Sequence, residues 1–466
     1  MKKRFILLSI LVSFLPAVAR ATVLEGWERH VIGVQESPIY LYVADMDGDG
    51  DLDIVSTNNV HPFLYVSEVA WYQNNLNTGG GWKKFIIAPA TEDNATNTTN
   101  ANGVVVADID GDGNPDVVVG TGMVTKQAGT VYWFKAPKDP TQENWQRFQV
   151  EPATDMSFMK MYTMDVNNDG KPDIIAGTNQ GTFVYINPGN PAQDGAQWKR
   201  QLLAEGTGSS NYLADMNCNR KLDIVNSQLG ASPDYQGNIS WLEPVYKGGV
   251  VAFERTMIDD NLFKAFDVNV MDVNGDYRKD VVVSIFQKKE LYWYEAPART
   301  GDPWTKHTIS DTFAGTDLYT GDINGDRKSE LVASGLFMNK ISFFIPSGSK
   351  DDIQWTEQVL DDNIALPGDI SLNDLDGDGD LDVVLAGMGE DQIIWYENKT
   401  PQKYACVLRR VLGNKSPALS QFRGVRDNYL QPTVAGRSII DSYYTGSARL
   451  IELLKMSTGV KNMLFK

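Results

Sequence analysis

Carboxylates at fixed spacing are the residues of this chain best equipped for chemistry. In Asp45-Met46-Asp47-Gly48-Asp49-Gly50-Asp51-Leu52-Asp53, oxygen side chains stand at loop positions 1, 3, 5 and 9, and position 7 offers a backbone carbonyl. Such a set can wrap a hard cation of calcium size, which takes about 6–8 oxygens at ~2.3–2.6 Å. Three or four carboxylates within nine residues repel one another unless a cation neutralises them. Equivalent loops begin at Asp108, Asp165, Asp215, Asp272, Asp322 and Asp374. An EF-hand would require Glu at position 12 and flanking helices. Position 12 is instead Ser56, Val119, Ala176 and Leu385 in the four most complete loops, each inside an apolar run of strand type. The expected chemistry is Ca2+ binding in strand-to-strand loops.

The loops differ in completeness. Asp45, Asp47, Asp49, Asp51 and Asp53 form one full set; Asp108, Asp110, Asp112, Asn114 and Asp116 a second; Asp374, Asp376, Asp378, Asp380 and Asp382 a third. All three have Gly at position 6, where a left-handed turn is easiest. Asp165, Asn167, Asp169, Lys171 and Asp173 make a fourth set, which keeps Gly170. Asp272, Asn274, Asp276 and Asp280 carry Tyr277 at position 6, and Asp322, Asn324, Asp326 and Glu330 carry Arg327. A left-handed non-glycine residue costs roughly 1 kcal/mol. The loop at Asp215 is poorest, because Asn217, Asn219, Arg220 and Lys221 leave Asp215 and Asp223 as its acids. Four firm calcium sites, two weaker ones and one empty loop are expected.

These loops need a scaffold that repeats with them. Their starts lie 50 to 63 residues apart, a period that belongs to stacked or radial repeats. In the first unit, Tyr40–Ala44 leads into the loop and Asp53–Ser56 leaves it; Val69-Ala70-Trp71-Tyr72 and Trp82–Ile87 complete four short strands. The third strand returns as Tyr132-Trp133-Phe134, Phe183-Val184-Tyr185, Ser240-Trp241-Leu242, Tyr292-Trp293-Tyr294, Ser342-Phe343-Phe344 and Ile394-Trp395-Tyr396. The fourth returns at Trp145, Trp198, Trp304 and Trp355, with Phe253 in that place in the fourth unit. Four strands repeated seven times predict an all-β, seven-bladed propeller. The last unit ends after its third strand, while Trp27-Glu28-Arg29-His30-Val31-Ile32 stands alone before the first loop. A ring closes if that N-terminal strand completes the seventh blade, which also removes exposed sheet edges.

Composition sets the context. Lys2-Lys3-Arg4, an apolar run from Phe5 to Val18 and Ala19-Arg20-Ala21 read as a secretory signal over residues 1–21, with the mature chain starting near Thr22. No later stretch is long and apolar enough to span a bilayer. The formal charge of -18 conceals an acidic segment 22–402 at about -30 and a basic segment 403–466 with 11 Lys/Arg against 3 Asp/Glu. So acidic a surface repels nucleic acid and suits bound cations. Two cysteines, Cys218 and Cys406, cannot make a disulfide framework.

The motif Asp-x-Asp/Asn-x-Asp/Asn-Gly-x-x-Asp, at 45–53, 108–116, 165–173 and 374–382 with degenerate copies between, resembles the FG-GAP/VCBS repeats found also at the head of integrin α subunits. The resemblance covers roughly residues 24–400. It implies calcium in the loops and an extracellular setting, in a family that includes adhesion proteins, lectin-like modules and propellers of lyase-type enzymes. In the tail, Ser416-Pro417 starts a helix pattern carried by Leu419, Phe422, Val425 and Tyr429, and Ser447 precedes another with Leu450, Ile451 and Leu454. The segments around Arg423, Arg426-Asp427-Asn428-Tyr429, Gly436-Arg437 and Tyr443-Tyr444 resemble the CFI-box, a C-terminal module of bacterial exported proteins. Of its usual opening, Cys406-Val407-Leu408 keeps the cysteine.

No catalytic residue is assigned from sequence. His30 and His307 recur at one place of the fourth-strand pattern and read as blade packing; His61 sits in a loop beside Pro62 and Phe63. No nucleophile elbow, zinc motif or nucleotide-binding loop occurs. Strand order puts the long loops 57–68, 89–101, 121–130 and 228–238 on the face opposite the acidic loops. There Phe63, Tyr65, Tyr235, Asn94, Asn97 and Asn100 would suit a glycan or a protein loop. The expected function is a secreted binding or adhesion module for a glycan or cell-surface protein. The alternatives are an extracellular polysaccharide-lyase-like enzyme and an exported scaffold.

Overall fold

The computed structural model describes residues 23–61, 66–90, 101–122, 129–193, 196–206, 209–230, 234–247 and 250–399. The expected signal sequence, the helical tail with its CFI-box resemblance and Cys406, and Phe63, Tyr65, Asn94, Asn97 and Asn100 lie outside them.

Seven four-stranded antiparallel sheets are arranged as a seven-bladed β-propeller. Six follow chain order, from the blade of Pro38–Ala44, Asp53–His61, Val66–Asn75 and Gly81–Ala88 to the blade of Asp317–Gly321, Glu330–Gly335, Lys340–Ser349 and Asp352–Asp361. The seventh takes its first three strands from Pro367–Asn373, Asp382–Gly387 and Gln392–Asn398, and its fourth from Trp27–Val34. Trp27 pairs with Asn398 and His30 with Trp395, so the ring closes through the N-terminal strand as the split repeat predicts.

The second strands, such as Asp116–Thr121 and Asp173–Thr178, are buried along their whole length. They therefore read as continuous apolar runs rather than alternating ones. Apolar side chains gather in seven clusters, each between two neighbouring blades. Val55 and Trp71 of the first blade pack with Val104 and Val117 of the second, and Val384 and Trp395 of the seventh with Leu41 and Ile54 of the first. The core is thus seven interfaces arranged about an axis, and the innermost strands are left to line that axis.

Candidate functional site

The acidic loops share one backbone design. At position 6, Gly50, Gly113, Gly170 and Gly379 have positive φ, and so do Arg220 (69°), Tyr277 (68°) and Arg327 (75°). The left-handed turn expected there is kept even where it is strained for a side chain. The position-1 carboxylate accepts amides further along its loop: Asp45 from Gly48 and Gly50, Asp108 from Gly111 and Gly113, Asp322 from Asp326 and Arg327. Position 9 is a buried clasp. Asp53 accepts the Met46 amide at 2.8 Å and the Asn74 amide at 2.7 Å, tying loop to third strand, and Asp116 and Asp382 do the same. Burial pushes Asp53 and Asp116 up to about 7, and Asp382 to about 8, although these amides pull the other way.

Side-chain oxygens converge within 4.8 Å in three of the four loops ranked firm: Asp45, Asp47 and Asp53; Asp108, Asp110 and Asp116; Asp374, Asp376 and Asp378. In the fourth, the Asp169 amide bridges Asp165 and Asn167. Two position-7 side chains turn to partners outside their loops, whereas Asn114 donates to Asp112 within its own. Asp51 accepts Asn77, and Lys171 donates to the Gly189 carbonyl, which leaves position 7 its backbone oxygen for an ion. Two loops are partly neutralised by the chain itself: the Lys135 ammonium lies against Asp110 and Asp112, and Arg278 and Lys350 lie against Asp276.

The two histidines expected to pack do so alike. His30 lies over Trp395 (4.6 Å between centroids) and meets Glu397, while His307 stacks on Trp293 (4.2 Å) and meets Glu295.

A second constellation, which the loop motif does not announce, lies at the axis. Five residues before each loop's first Asp stand Tyr40, Gly103, Lys160, Ser210, Asp267, Asp317 and Asp369. The Lys160 ammonium donates to both Asp267 oxygens (3.1 and 3.0 Å) and to Asp317 (2.6 Å). Each aspartate also accepts an amide of the next blade: Asp267 from Leu318 at 2.7 Å, Asp317 from Ile370 at 2.8 Å, Asp369 from Leu41 at 2.9 Å. The side chains of Asp267 and Asp317 are 3% and 9% exposed, so these charges are held within the protein. Burial would lower the Lys160 pKa, but Asp267 and Asp317 carry it well above the ordinary value. Burial pushes Asp317 well above the ordinary carboxyl range and Asp369 up to about 6, in both cases despite Lys160. Tyr40, Tyr162 and Tyr319 beside them are all raised, chiefly by burial.

This cluster floors a cavity of about 320 Å³. The wall includes Met159, Phe266, Phe286, Leu336, Phe337 and Met388. Phe266, Phe286 and Phe337 form a ladder with 5.6 Å between successive rings, and Phe337 is 68% exposed at the mouth. Phe286 and Phe337 sit on the short 3-10 turns Phe286–Lys288 and Leu336–Met338, between second and third strands. The cavity therefore opens on the face opposite the acidic loops, a strand length of five residues or about 17 Å away. That is the face where sequence placed function, although the aromatic groups come from short turns. Of the residues expected there, Tyr235 packs edge-on to Phe263, beneath the Lys264 ammonium (3.8 Å).

Comparison with known proteins agrees with this geometry. The FG-GAP-like repeat family matches residues 45–119, 165–225 and 263–333. The class defined by fold and loops is a seven-bladed propeller of repeated acidic-loop blades. The chain is an FG-GAP-repeat β-propeller. No curated protein matches its sequence. Among solved structures, it is similar to an Agrocybe aegerita lectin recognising non-reducing terminal N-acetylglucosamine (14% identity, 79% of this chain and 87% of that one, TM-score 0.45). It is also similar to BBS1N in complex with ARL6DN (9%, 81% and 98%, 0.45) and to the Pseudomonas aeruginosa periplasmic gluconolactonase PpgL (13%, 72% and 88%, 0.46). No helix among the described residues is long and apolar enough to cross a membrane.

Proposed function

We propose that this protein is an exported, calcium-binding propeller acting as a binding or adhesion module for a glycan or a cell-surface protein. The observation that carries the reading is the division of labour between the two faces. One bears the acidic loops; the other bears a cavity with a charged floor and an exposed aromatic rim. Rigid scaffolds commonly present ligands to the loops of one face, and concave, largely apolar pockets with a few convergent polar groups are the usual binding sites. Export rests on the basic and apolar N-terminal sequence. Calcium rests on the three convergent carboxylate sets, and the ~17 Å separation from the cavity supports a structural role for it.

The test is native affinity electrophoresis of the mature protein against a polysaccharide panel, paired with binding to whole bacterial and host cells, each with calcium and with chelator. Retardation by one polymer, or saturable cell binding lost on chelation, is the expected result. Failure on every polymer and every cell type would sink the reading.

A lyase-like enzyme is the second reading, favoured by Lys160 among Tyr40, Tyr162 and Tyr319. Its chemistry needs a base near neutral pH. Lys160 and all three tyrosines are shifted upward, away from that role, and no acidic loop reaches the cavity to hold a uronate with calcium.

A further inference from the structure

The charge of the axial cavity is unbalanced. Its floor holds one ammonium, Lys160, and three carboxyls, Asp267, Asp317 and Asp369. The Lys160 ammonium donates to Asp267 and Asp317. Asp267 is further held by the Ser210 hydroxyl and the Leu318 amide. Asp369 receives the Leu41 amide and lines the same cavity as Asp317. Three carboxyls thus share a single lysine, and because burial pushes Asp317 toward its protonated form, the negative charge left without a cation falls to Asp369.

The walls above that floor select against most ligands. An anion would face three carboxyls. A polyol would bring hydroxyls to walls made mostly by Met159, Phe286, Leu336, Phe337 and Met388, where the Ser210 and Thr316 hydroxyls already donate to Asp267 and the Ser334 carbonyl, and unpaired polar groups are costly to bury. A cation with a short apolar body fits both regions: its charge offsets the carboxyl pair, and aromatic faces attract ammonium groups. Lys264 and Lys288, which cover Tyr235 and Phe263, stand outside the lining and do not neutralise the floor. A volume of about 320 Å³ lies at the small end of ligand pockets, which run from about 300 to 1,000 Å³.

We propose that the axial cavity is a binding site for a small organic ammonium ion, its charge at Asp317 and Asp369 and its apolar body between Met159, Phe286, Phe337 and Met388. This site goes beyond the binding-module reading, and it stands whether the wider face takes a glycan or a protein.

The experiment is calorimetric titration of the calcium-loaded mature protein with phenethylammonium, with 2-phenylethanol and phenylacetate as neutral and anionic counterparts. Phenethylammonium should bind about tenfold more tightly than either, a difference of about 1.4 kcal/mol. Asp369→Asn, which keeps size and removes charge, should weaken it about tenfold. Phe337→Ala, at an exposed position that leaves the fold intact, should weaken it several-fold and equally for the alcohol. The proposal is overturned if the wild type binds no ammonium probe at millimolar concentration. It is equally overturned if the alcohol or carboxylate binds as well as the amine, or if folded Asp369→Asn retains full affinity. Should Asp369→Asn not fold, the amine-over-alcohol preference and the Phe337→Ala loss together decide the matter.

Discussion

The Lys160 ammonium meets the Asp317 carboxylate at 2.6 Å across the axis of the ring, joining two strands 157 residues apart. The same ammonium holds Asp267, so the third, fifth and sixth blades are tied at one point. Removing one partner of a buried ion pair leaves the other uncompensated, at a typical cost of about 3–5 kcal/mol. Lys160→Met should therefore lower the unfolding free energy extrapolated from urea titration by that order. Lys160→Met combined with Asp317→Asn should recover part of the loss, because the two sites are coupled. A strictly additive double variant would show that the ammonium is not what neutralises Asp317.

The repeat made most of this fold legible in the sequence. Oxygen side chains at four loop positions located the turns, the Trp- and Tyr-containing third strands fixed the blade, and the lone strand at Trp27–Ile32 foretold the closure now seen in the pairing of Trp27 with Asn398. The axial cluster is not legible as a motif, because its seven equivalent positions hold Tyr40, Gly103, Lys160, Ser210, Asp267, Asp317 and Asp369, five different residue types. Aligning the repeats on the first loop Asp and counting back five would have revealed three successive aspartates opposite a lysine. The aromatic rim escaped for a different reason. Loop length does not mark it, because Phe286 and Phe337 project from three-residue turns held by left-handed Lys289 and Asn339.

Calcium stoichiometry follows from loop chemistry rather than loop shape, since the poor Asp215 loop has the same turn as the rest. Its Asn219 and Arg220 amides still reach Asp215. Native mass spectrometry of the mature protein in low calcium should retain four ions, with two more added at millimolar calcium and none at the Asp215 loop. Lys135→Met should tighten the ion held at Asp108, Asp110 and Asp112, because the ammonium now beside Asp110 and Asp112 competes with it. An ion retained through chelation in the Asp215 loop would contradict the ranking.

Protons and calcium should compete at the position-9 clasps. Burial pushes Asp53, Asp116, Asp223 and Asp280 up to about 7, Asp173 to about 6, and Asp382 and Glu330 to about 8 in the ion-free protein. A carboxyl whose folded pKa exceeds its unfolded value, near 4, stabilises the fold while protonated and loses that contribution as pH rises through the folded value. In chelator the melting temperature should therefore fall between pH 5 and pH 8. One kcal/mol moves the midpoint by about 2–4 °C in domains of 150–250 residues, and seven groups act in the same direction, so the fall should span several degrees. Calcium replaces the proton as the neutralising charge and requires the ionised ligand. Its stabilising increment should be large at pH 8 and small at pH 5. A chelated protein that becomes more stable toward pH 8 would show that the clasps are ionised without the ion.

Ring closure by the N-terminal strand makes a last prediction with two arms. Trp27–Val34 is paired along Gln392–Asn398, its Trp27 ring 5.0 Å from Phe343 of the sixth blade. Deleting residues 23–34 removes that pairing and bares the edge of Gln392–Asn398, an apolar strand containing Ile393, Ile394, Trp395 and Tyr396. An exposed hydrophobic edge is a template for pairing with another chain. The truncated protein should melt earlier and run in light scattering as concentration-dependent oligomers. A synthetic peptide spanning residues 23–34, which can add a strand to such an edge, should restore the monomer and raise the melting temperature. The same peptide with Trp27→Ala should do so less well, since the indole is the group it packs against the sixth blade. If the truncated chain stays monomeric and melts as before, the seventh blade is stable with three strands and closure is a matter of topology without energetic weight.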